Sequence, residues 1–186
     1  MMKYIVSLSA FASTALAAVT AIPSFTLQAV APGQPFDGMP LTLNGPLAGL
    51  GHEGSTVRFY ATGNDDNAYA WSLHGFPIGI IDTPAVLVGN AAFNLAFLSL
   101  PEQTGKQYGE NLMMDNWTFT TGRPSIKIAP GAGKFLSYNF EQRWFAFPAQ
   151  EQGKWNVMWW DGSCCVTANG IPLKLKLVES NARADS

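Results

Sequence analysis

Short runs of apolar residues alternate with clusters of turn residues along most of the chain. The runs are rich in Val, Ile, Leu, Phe, Tyr and Trp, and Gly, Pro, Asn, Asp and Ser stand between them. Spacings of about 8 to 15 residues between such runs are typical of antiparallel all-β folds. We therefore predict a single-domain, all-β antiparallel β-sandwich or barrel, with strands at residues 25–30, 57–61, 69–73, 85–88, 93–98, 117–120, 134–138, 143–147, 155–160 and 171–178.

The last of these runs has the clearest alternation. Leu173, Leu175 and Leu177 share one face of a strand, and Lys174 and Lys176 share the other. Because side chains alternate across a strand, this pattern predicts one buried and one solvated face.

A tight hairpin turn is predicted at Gly89 and Asn90, which separate two apolar runs. The alternative for residues 83–100 is a buried helix, because Ala91 and Ala92 tolerate one. We expect strands here.

The N-terminus predicts export. One Lys precedes an apolar stretch that ends at the small residues Ala15 and Ala17. This is the pattern of a secretory signal peptide over residues 1–17, with Ala21 as the alternative cleavage site. A membrane anchor is less consistent with the short, Ser- and Ala-rich stretch, and no later segment reaches about 18 apolar residues. We expect one β-rich domain over residues 22–180, a polar tail over 181–186, and a secreted protein that is extracellular or in a cell wall, without a membrane span.

Two further features of the expected mature chain are a glycosylation sequon and a pair of cysteines. Asn116 begins an Asn-Trp-Thr sequon and predicts a glycoprotein. The only cysteines, Cys164 and Cys165, are adjacent, and their Cα atoms are closer than an ordinary disulfide requires. A strained vicinal bridge, intermolecular bridges and free thiols stay open, so we expect a monomer or a thiol-linked dimer.

Composition and charge exclude several classes of function. Hydrophobic residues make up 47% of the chain, which is too many for a disordered protein. The net charge is −2 and no run of Lys and Arg occurs, so a nucleic-acid partner lacks its electrostatic footprint.

No catalytic motif stands out. His52 and His74 both lie beside glycines, and neither is at helical or strand spacing from a second ligand type, so we expect them to be surface or packing residues. A Gly-x-Ser-x-Gly nucleophile elbow is absent. Acidic residues in the Trp-rich half could form the carboxylate pair of a glycoside hydrolase, but their spacing selects no pair: Asp115, Glu141, Glu151 and Asp161. Residues 63–67 could hold calcium, but Asx turn chemistry explains them better. We therefore predict no catalytic residue, metal or cofactor.

Aromatic residues in the last third of the chain are the remaining candidates for function. In the run 155–160, alternation places Trp155, Val157 and Trp159 on the face expected to be core, which leaves Trp160 partly exposed. An exposed Trp beside polar groups can stack on a sugar ring or on an apolar anchor of a partner. The predicted ligand-binding residues are Trp160, Asp161, Trp144 and Asn156.

Two stretches resemble small secreted fungal cell-wall and IgE-binding proteins, the PhiA-like group and its relatives. The first is FTLQAVAPGQPFDGMPL at 25–41. The second comprises WFAFP at 144–148, GKWNVMW at 153–159 and IPLKLKL at 171–177. The resemblance covers about a third of the chain and implies a β-sandwich or barrel exported by a fungus, wall-associated or released, allergen-like and without catalysis. Family members with well-separated cysteines differ from this chain, whose cysteines are adjacent.

The expected function is that of a non-enzymatic secreted fungal protein of the cell wall or host interface, acting by surface contact with a glycan or a host protein. A carbohydrate-binding, lectin-like β-sandwich is the alternative, and a secreted glycoside hydrolase is a third class.

Overall fold

The computed structural model describes residues 23–63, 70–76, 81–98, 112–114, 116–120, 135–163 and 169–180. These residues contain strands and connecting turns but no helix, and every strand pairing is antiparallel. The predicted all-β, antiparallel, single-domain class is confirmed. The strands are β1 (Ser24–Val30), β2 (Leu41–Asn44), β3 (Leu47–Leu50), β4 (Arg58–Gly63), β5 (Trp71–Gly75), β6 (Ala85–Asn90), β7 (Ala92–Phe97), β8 (Leu112–Met113), β9 (Trp117–Thr120), β10 (Phe135–Tyr138), β11 (Trp144–Pro148), β12 (Trp155–Trp160) and β13 (Ile171–Ser180).

Six strands close on themselves. They pair in the order β1, β4, β5, β9, β10 and β13, and β13 pairs again with β1. The pairing of β1 with β13 is the longest of these contacts, from Ser24 opposite Ser180 to Val30 opposite Lys174. We call this set the closed ring.

The remaining strands form an open sheet that continues from β13. β11 pairs with the first residues of β13, then β12 follows, and β3, β7, β6 and β8 extend the sheet, with β2 paired to β3. β12 contacts both β3 and β7, because β3 pairs with its beginning at Trp155 and β7 with its end at Trp160. β13 therefore belongs to both the closed ring and the open sheet.

One hydrophobic core joins the two parts of the fold. Its buried residues come from the closed ring and from the open sheet. Trp117 of the ring and Trp144 of the open sheet stack with ring centroids 6.4 Å apart and planes 4° apart. Each indole N–H has a backbone acceptor, Ala85 O for Trp117 and Leu136 O for Trp144, so these large side chains are buried without an unpaired donor.

All ten predicted strands are present, with ends that differ by a few residues. Residues 85–90 and 92–97 are the strands of a hairpin, so the helix alternative for this segment is wrong. The turn contains Ala91 with a φ of 60°, directly after the predicted turn residues Gly89 and Asn90. Three short strands were not predicted, namely β2, β3 and β8.

Candidate functional site

Four large apolar side chains lie on the outer face of β11 and β12. We call Phe145, Phe147, Met158 and Trp160 the outer strip. All four are half-buried, whereas their neighbours in the same strands alternate into the core. Phe145 is opposite Met158 in the strand register. The centroid of the Phe145 ring is 6.2 Å from that of Trp160 and 6.4 Å from that of Phe147. The strip is therefore one continuous aromatic surface across two neighbouring strands.

Polar groups flank this strip. Asn156 is exposed and lies opposite Phe147 at one end. At the other end Arg143 donates to Glu141 Oε1 over 2.7 Å and to the backbone oxygen of Asp161 over 2.5 Å. The guanidinium thereby holds the end of β12 beside the start of β11.

The Asp161 carboxylate stabilises the turn that follows Trp160. Its Oδ1 accepts a hydrogen bond from Ser163 N over 2.7 Å, and its own backbone N donates to Ala91 O. The hydrogen bond from Ser163 lowers the pKa of Asp161, and the positive charge of Arg143 lowers it further. Asp161 is consequently a negative group beside Trp160 near neutral pH.

A depression of about 420 Å³ lies on the β13 side of the outer strip, and none of the four strip residues lines it. Pro172 lies opposite Phe145 in the register of β11 and β13 and also lines this depression. The depression is further lined by Phe135, Gln142 and Lys174, and the Lys174 ammonium is 5.3 Å from the centre of the Phe135 ring. Aromatic, amide and ammonium groups thus extend the surface beyond the strip.

The structure brings three of the four predicted ligand residues to this surface. Trp160, Asp161 and Asn156 lie on or beside the outer strip. Trp144 is only 1% exposed, because its strand position points toward the core and its indole packs against Trp117. This corrects the prediction that placed Trp144 in the ligand site. Phe145, which was not among the predicted ligand residues, takes its place at the surface.

Trp160 has an unpaired polar group. Its Nε1 is buried and has no hydrogen-bond partner, although the side chain as a whole is half-buried. An unpaired buried donor has a free-energy cost, and a nearby acceptor would relieve it.

The acidic residues considered for hydrolysis have structural partners. Glu141 pairs with Arg143, Glu151 pairs with Lys154, and Asp161 caps Ser163. Asp115 lies outside the described residues. Each of these three carboxylates therefore has a local partner.

The sequon at Asn116 continues into a buried position. Asn116 is half-buried, and Thr118 is 2% exposed. Thr118 Oγ1 is 2.7 Å from Ser137 Oγ and accepts a hydrogen bond from Phe140 N. A glycosylating enzyme that recognises the threonine hydroxyl can therefore reach it only before the chain folds. Glycosylation of Asn116 stays a prediction.

A second polar cluster, on the outer face of β4 and β5, was missed at the sequence level. The Asp82 carboxylate accepts a hydrogen bond from His74 Nδ1, with distances of 2.9 and 3.0 Å to its two oxygens. The other ring nitrogen, Nε2, is 3.1 Å from the Thr62 hydroxyl. Tyr60 stacks on the His74 ring with centroids 5.1 Å apart. Burial and the charge of Asp82 raise the pKa of Tyr60.

This cluster has the order of groups found in a nucleophile, base and acid set. It also has a plain structural effect. Asp82 belongs to the segment that returns across β5, and Gly75 N donates to Thr83 O there over 2.9 Å. His74 therefore helps to hold residues 81–84 against the closed ring.

Within the described part of the chain no group of three His, Cys, Asp or Glu side chains is arranged to hold a metal ion. A helix long and apolar enough to cross a membrane is likewise not found among those residues. Several predictions lie outside the described residues: the signal peptide over 1–17, Cys164 and Cys165, the tail over 181–186, and most of the loop at 63–67.

Comparisons of the chain with family models, with curated proteins and with solved structures find no match.

Proposed function

We propose that this protein is a secreted, non-enzymatic component of a fungal cell wall or host interface, and that it acts by binding glycan through the outer strip. The observation that carries the proposal is the continuous aromatic surface of Phe145, Phe147 and Trp160 with polar side chains at both ends. The proposal that the protein is secreted rests on the predicted signal peptide over residues 1–17.

Sugar rings suit such a surface. Their C–H faces are apolar and pack on aromatic rings, whereas their hydroxyls need hydrogen-bond partners at the edge. The strip offers the aromatic surface, and Asn156 and Asp161 offer an amide and a carboxylate beside it. The adjoining depression with Gln142 and Lys174 gives room for a second sugar unit.

The protein surface is also suited to contact with an extended polymer. The outer strip lies on two paired strands and is held from below by buried Val157 and Trp159. A rigid platform loses little conformational freedom on binding, which favours recognition of repeating sugars.

The test is binding to insoluble chitin and β-glucan and to a glycan array. We expect the wild type to bind at least one of these, and Phe145→Ala and Trp160→Ala to bind about 10-fold or more weakly, which corresponds to about 1.4 kcal/mol. Val178→Ala is the matched control, because Val178 is an exposed apolar residue, 40% exposed, on β13 of the closed ring. Absence of glycan binding by the wild type would refute the glycan ligand, and equal binding by all variants would refute binding through the outer strip.

The non-enzymatic part of the proposal is tested at Thr62, His74 and Asp82. We expect purified protein to leave p-nitrophenyl esters intact. Ester hydrolysis that is lost in both Thr62→Ala and His74→Ala would show that the cluster is a catalytic site and would overturn this part.

A further inference from the structure

The depression on the β13 side of the outer strip is lined by an exposed lysine. Lys174 lines it from β13, Val30 from β1 and Phe135 from β10. Lys174 is exposed to solvent, as are Pro172 and Lys176 at the alternate positions of the same strand. The ammonium group of Lys174 is therefore accessible to a ligand that enters the depression.

Lys174 has no carboxylate partner among the described residues. The ion pairs in that part of the chain use Lys154, Arg143 and His74 as their basic members. The Lys174 ammonium instead lies 5.3 Å from the centre of the Phe135 ring, a cation–π contact that positions the group and leaves its charge uncompensated. None of the described residues that line the depression is acidic. The depression therefore presents a positive charge to solvent.

Pro172 connects the depression to the outer strip. It lines the depression, and it lies opposite Phe145 in the register of β11 and β13. Neighbouring strands are about 4.8 Å apart and alternate residues of a strand about 6.7 Å apart, so the backbone of Lys174 lies about 8 Å from that of Phe145. A chain of sugars that stacks on Phe145 can therefore reach Lys174 with a neighbouring unit.

The local charge differs in sign from the charge of the whole chain. The net charge is −2, so the protein as a whole does not attract an anionic ligand. A preference for an anion must come from a local cation, and an ammonium forms stronger hydrogen bonds with a carboxylate than with a neutral hydroxyl. A uronic acid carries its carboxylate at the edge of the sugar ring, which leaves the apolar C–H face free to pack on an aromatic side chain.

We propose that the outer strip and the depression together bind a β-linked oligosaccharide that contains a uronic acid. One sugar ring packs on Phe145, and the carboxylate of a neighbouring uronic acid unit accepts a hydrogen bond from Lys174 Nζ. This specificity rests on the proposed function, because the outer strip supplies the stacking surface. It adds the class of sugar and the residue that recognises it.

The first experiment compares three ligands of equal length by isothermal titration calorimetry: a β-1,4-linked oligoglucuronate, its methyl ester and the corresponding cello-oligosaccharide. At low ionic strength we expect the wild type to bind the oligoglucuronate about 3-fold or more tightly than either neutral ligand. The preference should disappear at about 1 M salt, where the Debye length is about 3 Å. No binding of the oligoglucuronate, equal affinity for all three ligands, or a preference that persists at high salt overturns the proposal.

The second experiment uses variants of the depression. Lys174→Gln should lower the affinity for the oligoglucuronate to that for its methyl ester and leave both neutral ligands unchanged, whereas Lys174→Arg should keep the preference. Lys176→Gln is the matched control, because it removes the same charge from the same face of β13 but does not line the depression. No loss of oligoglucuronate affinity in Lys174→Gln, or an equal loss in Lys176→Gln, also overturns the proposal.

Failure of this specificity is distinguishable from failure of the proposed function. Phe145→Ala should weaken the binding of charged and neutral oligosaccharides alike, because both stack on the outer strip. If Phe145→Ala weakens the binding of neutral glycans and the wild type shows no preference for the acid, only the uronic acid specificity is refuted. If the wild type binds no glycan at all, both proposals are refuted.

Discussion

Two tryptophans at neighbouring positions of paired strands differ in how their indole nitrogens are satisfied. Trp144 Nε1 donates to Leu136 O over 2.9 Å, whereas Trp160 Nε1 is buried and has no partner. Burial by itself therefore does not determine what a Trp contributes to stability. Replacing a Trp removes a hydrogen bond only where the indole N–H donates one.

Replacing each Trp by Phe separates these contributions. We expect Trp144→Phe to lower the free energy of unfolding by about 1–3 kcal/mol, because it leaves Leu136 O without its donor and opens space in the core. Trp160→Phe should change it by less than about 1 kcal/mol, because no hydrogen bond is lost. Urea denaturation measures both values, and equal losses would contradict the prediction.

Asp161 makes the stability of the β12 end dependent on pH. Its pKa is lowered in the folded protein, so the stabilisation is complete above the unfolded pKa of about 3.9 and is lost as pH falls through the lower folded value. Asp161→Asn keeps an acceptor for Ser163 but removes the charge. We expect wild type to be more stable than Asp161→Asn at pH 7 and the difference to vanish in strong acid, as measured by thermal melting. A difference that is constant with pH would refute this role of the charge.

At the scale of elements, the β6–β7 hairpin depends on backbone conformations that most residues avoid. Gly89 has a φ of 147°, and a Cβ at this position would lie 2.5 Å from Ala92 O. Ala91 has a φ of 60°, in the left-handed region. The tight turn places β6 beside β7 and thereby puts Ala91 O within reach of Asp161 N.

Substitutions at the two hairpin positions should have opposite effects. Gly89→Ala should destabilise the protein by about 1–3 kcal/mol, because the added methyl group meets the Ala92 carbonyl and the φ is strained. Ala91→Gly should stabilise it by about 0.5–1 kcal/mol, because glycine adopts the left-handed conformation without the Cβ penalty. Denaturant midpoints of the two variants check the signs, and the same sign for both would be the contrary result.

At the scale of the whole molecule, β13 couples the closed ring to the open sheet. Its first residues pair with β11, and its later residues pair with β1 and β10. The larger cluster of buried apolar residues is continuous across both parts. A smaller cluster of Val86, Val88, Ala96 and Leu98 lies within the open sheet. We therefore expect the ring and the open sheet to unfold together.

Leu175→Ala tests this coupling, because Leu175 is fully buried in β13. The variant should lose about 2–5 kcal/mol of stability and still unfold in one transition. Hydrogen exchange should give amides of β4 and of β7 the same reduced opening free energy. Two separate transitions, or a loss confined to one part, would show that the ring and the open sheet are independent units.

The sequence by itself determined the fold class and most of the strands. Side-chain alternation is a local property of an extended chain, and it placed Leu173, Leu175 and Leu177 in the core and the intervening lysines in solvent. The same alternation correctly separated Trp159 from Trp160. β2 and β3 were missed, although β9 and β10 have the same length and were predicted. They are stabilised by pairing, of β2 with β3 and of β3 with β12.

Only the tertiary structure decided which chemical groups meet. Both faces of β11 carry aromatic residues, so the local pattern does not show which face is buried. Pairing with β12 and β13 places Trp144 in the core and Phe145 on the surface. Thr62, His74 and Asp82 come together through the register of β4 and β5 and the return of the chain across β5. The depression at Lys174 likewise exists only where β1, β10 and β13 meet, because long-range pairing brings distant segments into contact while local periodicity acts on each segment alone.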